Sequence, residues 1–228
     1  LERDEVVMIA DFGGGTSDFS IIRVGPSHVG RQDRQDDILG TSGVPLAGNA
    51  FDSRLVQRLV APHLGLGSRY RTAFGKELEI PPSIFKLRWH ELSTLRSRKT
   101  LEALRDYTAH AVPPKRIANF LSLVEDDLGY HLYQAVERTK IELSRQETAR
   151  FVFHEPPIDI DATVHRDDFE AWIAPELKAI TQCVDGLMTD TGLPNDAIDR
   201  VFMTGGSSFI PAVRRVFAER FGADKLRS

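Results

Sequence analysis

A single cysteine, Cys183, in 228 residues excludes an internal disulfide and any thiolate cluster for zinc, and a reducing, cytoplasmic setting fits that usage. No run of 18 apolar residues occurs, so no membrane span is expected, and no secretory apolar segment opens the chain. Basic surplus is missing as well: 29 Lys and Arg against 33 Asp and Glu leave a net charge of −4 and a pI near 6.0. That balance argues against nucleic acid as the main partner. Internal repeats and low-complexity tracts are absent. His90-Glu91 is not followed by the second histidine of a zinc-protease helix, and no other histidine stands at ligand spacing. What remains is a 41% apolar chain, enough to bury a core in one or two domains. It opens on Leu1 rather than methionine, so a processed chain or a piece of a longer one is expected.

Hydrophobic patterning divides the chain. Val6–Ala10 reads as a buried central strand, Gly13-Gly14-Gly15 as a tip, and Asp18–Val24 as a returning strand, together a hairpin. Residues 25–37 read as a surface turn, and Ile38–Ala50 as a short strand running into a loop. Phe51, Leu55 and Leu59 recur at helical spacing, with Pro62 marking the exit. Glycines and prolines break up 65–85. A helical block is expected from Lys86 to His110, in which Trp89 reads as packing with Leu92 and Leu95. Another runs from Arg116 to Ser144, as one helix or as two meeting at Gly129. A second hairpin occupies 151–164, and a helix capped by Asp167 or Asp168 runs to Gly192. Arg200–Thr204 reads as a strand and Pro211–Phe221 as a helix stopped by Gly222. The expected architecture is an α/β domain built from both ends, 1–46 plus 166–228, with a mostly helical subdomain, 47–165, inserted between them. Cys183 is expected as a buried thiol.

Three segments carry residues suited to chemistry. In Asp11-Phe12-Gly13-Gly14-Gly15-Thr16-Ser17-Asp18, three glycines let backbone N–H groups gather around an anion. Asp11 and Asp18 could hold Mg²⁺ through water, and Thr16 could bond a γ-phosphate or an attacking water. No Gly-Lys-Ser/Thr follows, which excludes a Walker A loop. The same spacing equally fits a hairpin turn with flanking aspartates on the surface. Thr204-Gly205-Gly206-Ser207-Ser208-Phe209-Ile210-Pro211 turns a strand into a helix, where paired glycines allow either a ligand or tight packing. Glu137, Lys140 and Ser144 share one helix face. That stripe suits a ribose or base edge, and it also suits a solvated face braced by a Glu–Lys pair.

Taken in order, these segments resemble the ATPase domain of the heat-shock protein 70 family, within the actin, hexokinase and chaperone superfamily. The first is similar to the family's second phosphate loop and Thr204–Pro211 to its adenosine motif. Glu137–Ser144 is similar to the helix beside adenine and ribose, and Leu46-Ala47-Gly48-Asn49-Ala50-Phe51-Asp52 to the turn beside the ribose. The resemblance implies lobe II of an actin-like, ribonuclease H-like ATPase fold with an inserted, enlarged helical subdomain. It implies ATP or ADP with Mg²⁺ as cofactors and Asp11 and Thr16 as catalytic residues. Nucleotide would be bound by Gly13, Gly14, Gly15, Thr16, Gly48, Glu137, Lys140, Ser144, Gly205, Gly206, Ser207 and Phe209, and metal by Asp11 and Asp18. Through a parent protein it implies unfolded polypeptide, a co-chaperone or an exchange factor as partners, with no nucleic acid and no membrane.

The departures are specific. Arginines common in the family at the positions of Ile141 and Phe209 are replaced, Asn49 stands for an acidic residue, and 85 positions separate Asp52 from Glu137. That enlarged span resembles the YegD-like branch. Nothing matches the family's first phosphate loop, its lobe I lysine, its interdomain linker or a peptide-binding β-domain. The expectation is therefore half of a nucleotide site, inactive alone, whose parent hydrolyses ATP in a chaperone cycle. Competing readings are a nucleotide-sensing interaction module with little hydrolysis, using 60–135 to hold a partner, and another ATPase or kinase of the actin-like superfamily.

Overall fold

The computed structural model describes residues 2–30, 33–85 and 87–228, without the side chains of Trp89, His90 and Ser93. The packing expected of Trp89 and the helix start expected at Lys86 lie outside the described residues. Among the described residues ten strands follow in order: β1 (Glu5–Phe12), β2 (Ser17–Val24), β3 (Ile38–Val44), β4 (Arg69–Arg71), β5 (Glu77–Glu79), β6 (Ala111–Val112), β7 (Thr148–Glu155), β8 (Ile158–His165), β9 (Arg200–Thr204) and β10 (Leu226–Arg227). The same residues form eight α-helices: α1 (Gly48–Leu55), α2 (Trp89–Leu92), α3 (Arg98–His110), α4 (Pro114–Glu125), α5 (Gly129–Arg145), α6 (Arg166–Trp172), α7 (Ala174–Thr191) and α8 (Pro211–Phe221). The fold is mixed α/β and divides into two compact units, residues 1–51 with 170–228, and residues 52–169.

The first unit is built on a five-stranded sheet ordered β10-β9-β1-β2-β3. β1 pairs antiparallel with β2 and parallel with β9, which explains why it is apolar on both sides. Met8, Ala10 and Phe12 of β1 and Phe19 and Ile21 of β2 point to one face and are buried. There Phe217 of α8 meets Phe12 and Phe19 with ring centroids 5.9 and 6.0 Å apart. α7 lies on the same face over β3, so close at Gly40 that a Cβ there would stand 2.6 Å from Thr191 Cγ2. Cys183 of α7 is half-buried rather than buried, its Sγ 3.2 Å from Ser42 Oγ. The 25–37 connection is not simply surface: the His28 ring and the Asp37 carboxyl bury together, 2.6 Å apart.

The second unit is helical with two small sheets. α3 packs on α4, Phe85 stacks on Phe120 at 5.1 Å, and α5 packs on β7 of the β7–β8 hairpin. The three-stranded sheet β5-β4-β6 is absent from the sequence reading. Its strands have two or three residues and expose Arg69, Arg71 and Glu79, so no apolar alternation announces them. Several helix boundaries also shift. The helix expected at Phe51 begins at Gly48 and runs past Pro62 to Leu64 through a widened turn and a tighter one. Ser97, whose hydroxyl accepts from the Thr100 N–H, starts a new helix inside the 86–110 block. Asp127, at φ 57°, separates α4 from α5. Asp167 and Asp168 lie within the first turn of α6, and Pro175 opens a separate α7 that ends on left-handed Gly192.

Candidate functional site

Strand periodicity places the acidic residues. Asp11 follows Ala10 and precedes Phe12, so it points to the face away from α8. In the sheet register it stands opposite Asp18 on β2 and opposite Thr204 on β9. The Thr204 hydroxyl donates to Asp11 Oδ1 at 2.6 Å, and the Thr16 hydroxyl donates to Asp18 Oδ2 at 2.8 Å. The row ends at Gly43, where a Cβ would stand 2.7 Å from Asp18 Oδ1 and would push that carboxylate aside. Two carboxylates directly opposite on neighbouring strands repel one another. Among the described residues no group of three or more His, Cys, Asp or Glu could hold a metal ion. Two exposed carboxylates, each bonded by one threonine, suit a hard cation that keeps most of its water.

Above this row sits the Gly13–Thr16 tip, exposed throughout. The Gly13 N–H donates to the Thr16 carbonyl at 2.9 Å and closes the turn. The amides that open α1 then take up the tip's carbonyls: Gly48 N–H donates to Gly13 O at 3.3 Å and Asn49 N–H to Gly14 O at 2.8 Å. The N–H groups of Gly14, Gly15 and Thr16 have no acceptor among the described residues. A tip with three carbonyls bonded and three successive amides open presents partial positive charge.

The Gly205 turn reaches the same tip from the other end of the chain. At φ +83° its Cβ would lie 2.0 Å from the Phe12 carbonyl oxygen, a separation no side chain tolerates. The Asp11 segment, the glycine tip, Gly48 and the Gly205 turn, separate in sequence, are thus brought together within the first unit. Gly206 faces open space and Phe209 is 58% exposed. Ser207 is buried, so its side chain belongs to the packing of the turn.

In the second unit, α5 carries the polar stripe. Glu137 is exposed. Lys140 does not brace it: the ammonium lies 2.7 Å from Asp52 Oδ1 on α1, with both side chains nearly buried. Burial raises the Asp52 carboxyl above the usual aspartate range, Lys140 pulls it back, and Glu137 adds to the rise. Ser144 donates its proton to the Ile141 carbonyl at 2.6 Å, which leaves its oxygen as an acceptor. Ile141 is 44% exposed. Sequence reasoning missed two participants. Asp52 and Thr204 each stand inside a quoted motif without a role of their own there.

A family model described as Hsp70 protein matches residues 115–228. The chain is similar to the chaperone protein DnaK of Deinococcus proteolyticus, 27% identical over 239 residues that cover all of this chain and 29% of that protein. It is 26% identical to the chaperone protein DnaK of Thermus thermophilus over 234 residues, covering 99% of this chain and 29% of that relative. The dnaK chaperone protein of Cyanidioschyzon merolae is 25% identical over 234 residues, with 100% and 29% covered. The chain thus spans under a third of the length of these relatives. With a family match over half its length, on the portion that carries α5 and the Gly205 turn, the chain belongs to the Hsp70 family.

Proposed function

We propose that the chain is lobe II of an actin-like ATPase domain, with 47–165 as its enlarged inserted subdomain, and that it carries half of the nucleotide site of an ATP-hydrolysing, cytoplasmic chaperone of the YegD-like branch. One observation carries the reading: α1 bonds the Gly13 and Gly14 carbonyls while the amides of Gly14, Gly15 and Thr16 stay open, beside the Asp11–Thr204 pair. Such a tip suits the β- and γ-phosphates of ATP or ADP, and Asp11 and Asp18 suit the waters of a Mg²⁺ ion. The ion, when bound, neutralises charge on the phosphates.

Thr16 directs a water at the γ-phosphate while its own proton is held on Asp18. Catalysis then comes from placement and charge rather than from covalent chemistry. Gly205 and Gly206 let the backbone approach the nucleoside, and the exposed Phe209 ring offers a stacking surface for the base. Glu137 and Lys140 bond the ribose hydroxyls, and the Ser144 oxygen accepts from a base N–H. Client polypeptide, co-chaperone and exchange factor act through the rest of the parent protein.

Calorimetry and phosphate release on the intact protein test this. Mg·ATP binding is expected in the wild type, and Thr16→Ala is expected to keep binding while losing turnover about 100-fold. A wild type that binds Mg·ATP without turnover would favour the nucleotide sensor. A wild type that does not bind it would overturn the proposal.

A further inference from the structure

A cleft of about 360 Å³ opens in the second unit, lined by Ser53 of α1, by Gln57 just past it and by residues of the 82–91 segment. That segment is anchored at three points. The Phe85 ring stacks on the buried Phe120 ring at 5.1 Å and also lines the cleft. The Tyr133 hydroxyl donates to the Leu87 carbonyl at 2.7 Å. Leu92 lies so close to Gly129 that a Cβ there would stand 2.9 Å from its Cδ1. A wall held in this way leaves a ligand little ordering to do.

The cleft carries one charge of each sign. Arg88, exposed, and Glu91, half-buried, both line it, and Phe85 and Leu87 supply apolar surface. Three positions apart, the two charges have a spacing that permits an ion pair. Among the described residues neither makes a salt bridge or a side-chain hydrogen bond. A ligand with negative charge alone would be drawn to Arg88 and repelled by Glu91, and a simple cation would meet the reverse. A molecule with both charges on neighbouring atoms satisfies both residues. The planar arginine fork offers two N–H donors to a carboxylate, and the Glu91 carboxylate accepts from an ammonium. A free α-amino acid is such a molecule, and the volume lies at the small end of ligand clefts. A polypeptide end fits less well, because the peptide bond removes one of its two charges.

We propose that this cleft binds a free α-amino acid with an apolar side chain, its carboxylate on Arg88, its ammonium on Glu91 and its side chain against Phe85 and Leu87. None of these residues has a part in the nucleotide reading, so the two stand or fall separately.

The test uses calorimetry on the intact protein with L-leucine, L-phenylalanine, N-acetyl-L-phenylalanine and L-phenylalaninamide. L-Phenylalanine is expected to bind, and each blocked form to bind about tenfold more weakly, the scale of one hydrogen bond to a charged group. Arg88→Gln is expected to lose about tenfold for L-phenylalanine and nothing for the amide, which has no carboxylate. Glu91→Gln is expected to lose as much for L-phenylalanine and nothing for the N-acetyl form, which has no ammonium. A wild type that binds neither L-phenylalanine nor L-leucine at millimolar concentration overturns the proposal. So does a wild type that binds the three phenylalanine forms equally, a comparison that needs no variant. Variants that lose all three forms alike overturn it as well, because the two charges would then belong to the packing of the wall.

Discussion

The Cα of Gly205 packs against the carbonyl of Phe12 so closely that a Cβ would come within 2.0 Å of the oxygen. The contact joins the end of β9 to the end of β1 at φ +83°, a conformation that already disfavours any side chain. Gly205→Ala is therefore expected to lower stability by about 3 kcal/mol, combining left-handed strain with a backbone clash. The adjacent Gly206 faces open space, and Gly206→Ala should stay within about 1 kcal/mol of wild type. Urea midpoints for the two variants, at unchanged slope, measure the contrast.

Asp11 and Asp18 face one another across β1 and β2. Asp18→Asn removes one of the two like charges and keeps an acceptor for the Thr16 hydroxyl. Without divalent cation the variant is expected to gain about 0.5 kcal/mol. With Mg²⁺ and ATP supplied to the intact protein, the same variant is expected to need more Mg²⁺ for half-maximal binding. Urea unfolding in a chelator and a Mg²⁺ titration check the two halves.

The Phe209 ring, more than half exposed, is expected to stack on bases without reading their edges. Phe209→Ala should weaken Mg·ATP and Mg·GTP alike, by about tenfold, as removal of a stacking ring does. Side-by-side calorimetry would count against this role if the loss were confined to one base or absent from both.

Asp37 supplies an acid-sensitive contact. The Arg34 guanidinium, 2.8 Å away, and the His28 ring, 2.6 Å away, hold its carboxyl below the ordinary value of 3.8. Asp4 also faces the ring, 3.9 Å from His28 Nε2. A depressed carboxyl contributes stability that is complete above 3.8 and fades as pH falls below it toward the folded-state value. Asp37→Asn should therefore be less stable than wild type at neutral pH, with the gap closing below pH 3.8. Urea unfolding of both proteins across pH 2–7 gives the curve, and a gap independent of pH would contradict the assignment.

Much of the first unit was legible in the sequence because its signals are local. An apolar β-branched run, a triglycine tip and an alternating return define β1 and β2, and Pro211 and Gly222 bracket α8. The second unit was harder to read. Strands as short and polar as β4 and β5 make no periodic pattern; they pair with each other across a short turn, and β4 takes its second partner from the distant β6. The break between α6 and α7 was hidden because Phe169, Ile173 and Leu177 keep helical spacing through it. The stripe on α5 was visible as a stripe, but the partner of Lys140 was not, since Asp52 is 88 positions earlier.

The sequence by itself determined which short segments turn, extend or coil, and which backbone amides could be left open at a glycine tip. Those choices depend on steric and hydrogen-bonding rules that act within a few residues. Only the tertiary structure decided that Thr204 bonds Asp11, that Gly205 abuts Phe12 and that Lys140 leaves Glu137 for Asp52. Those pairings follow from the parallel register of β9 on β1 and from burial on α1. Register and burial are set by packing the whole chain at once.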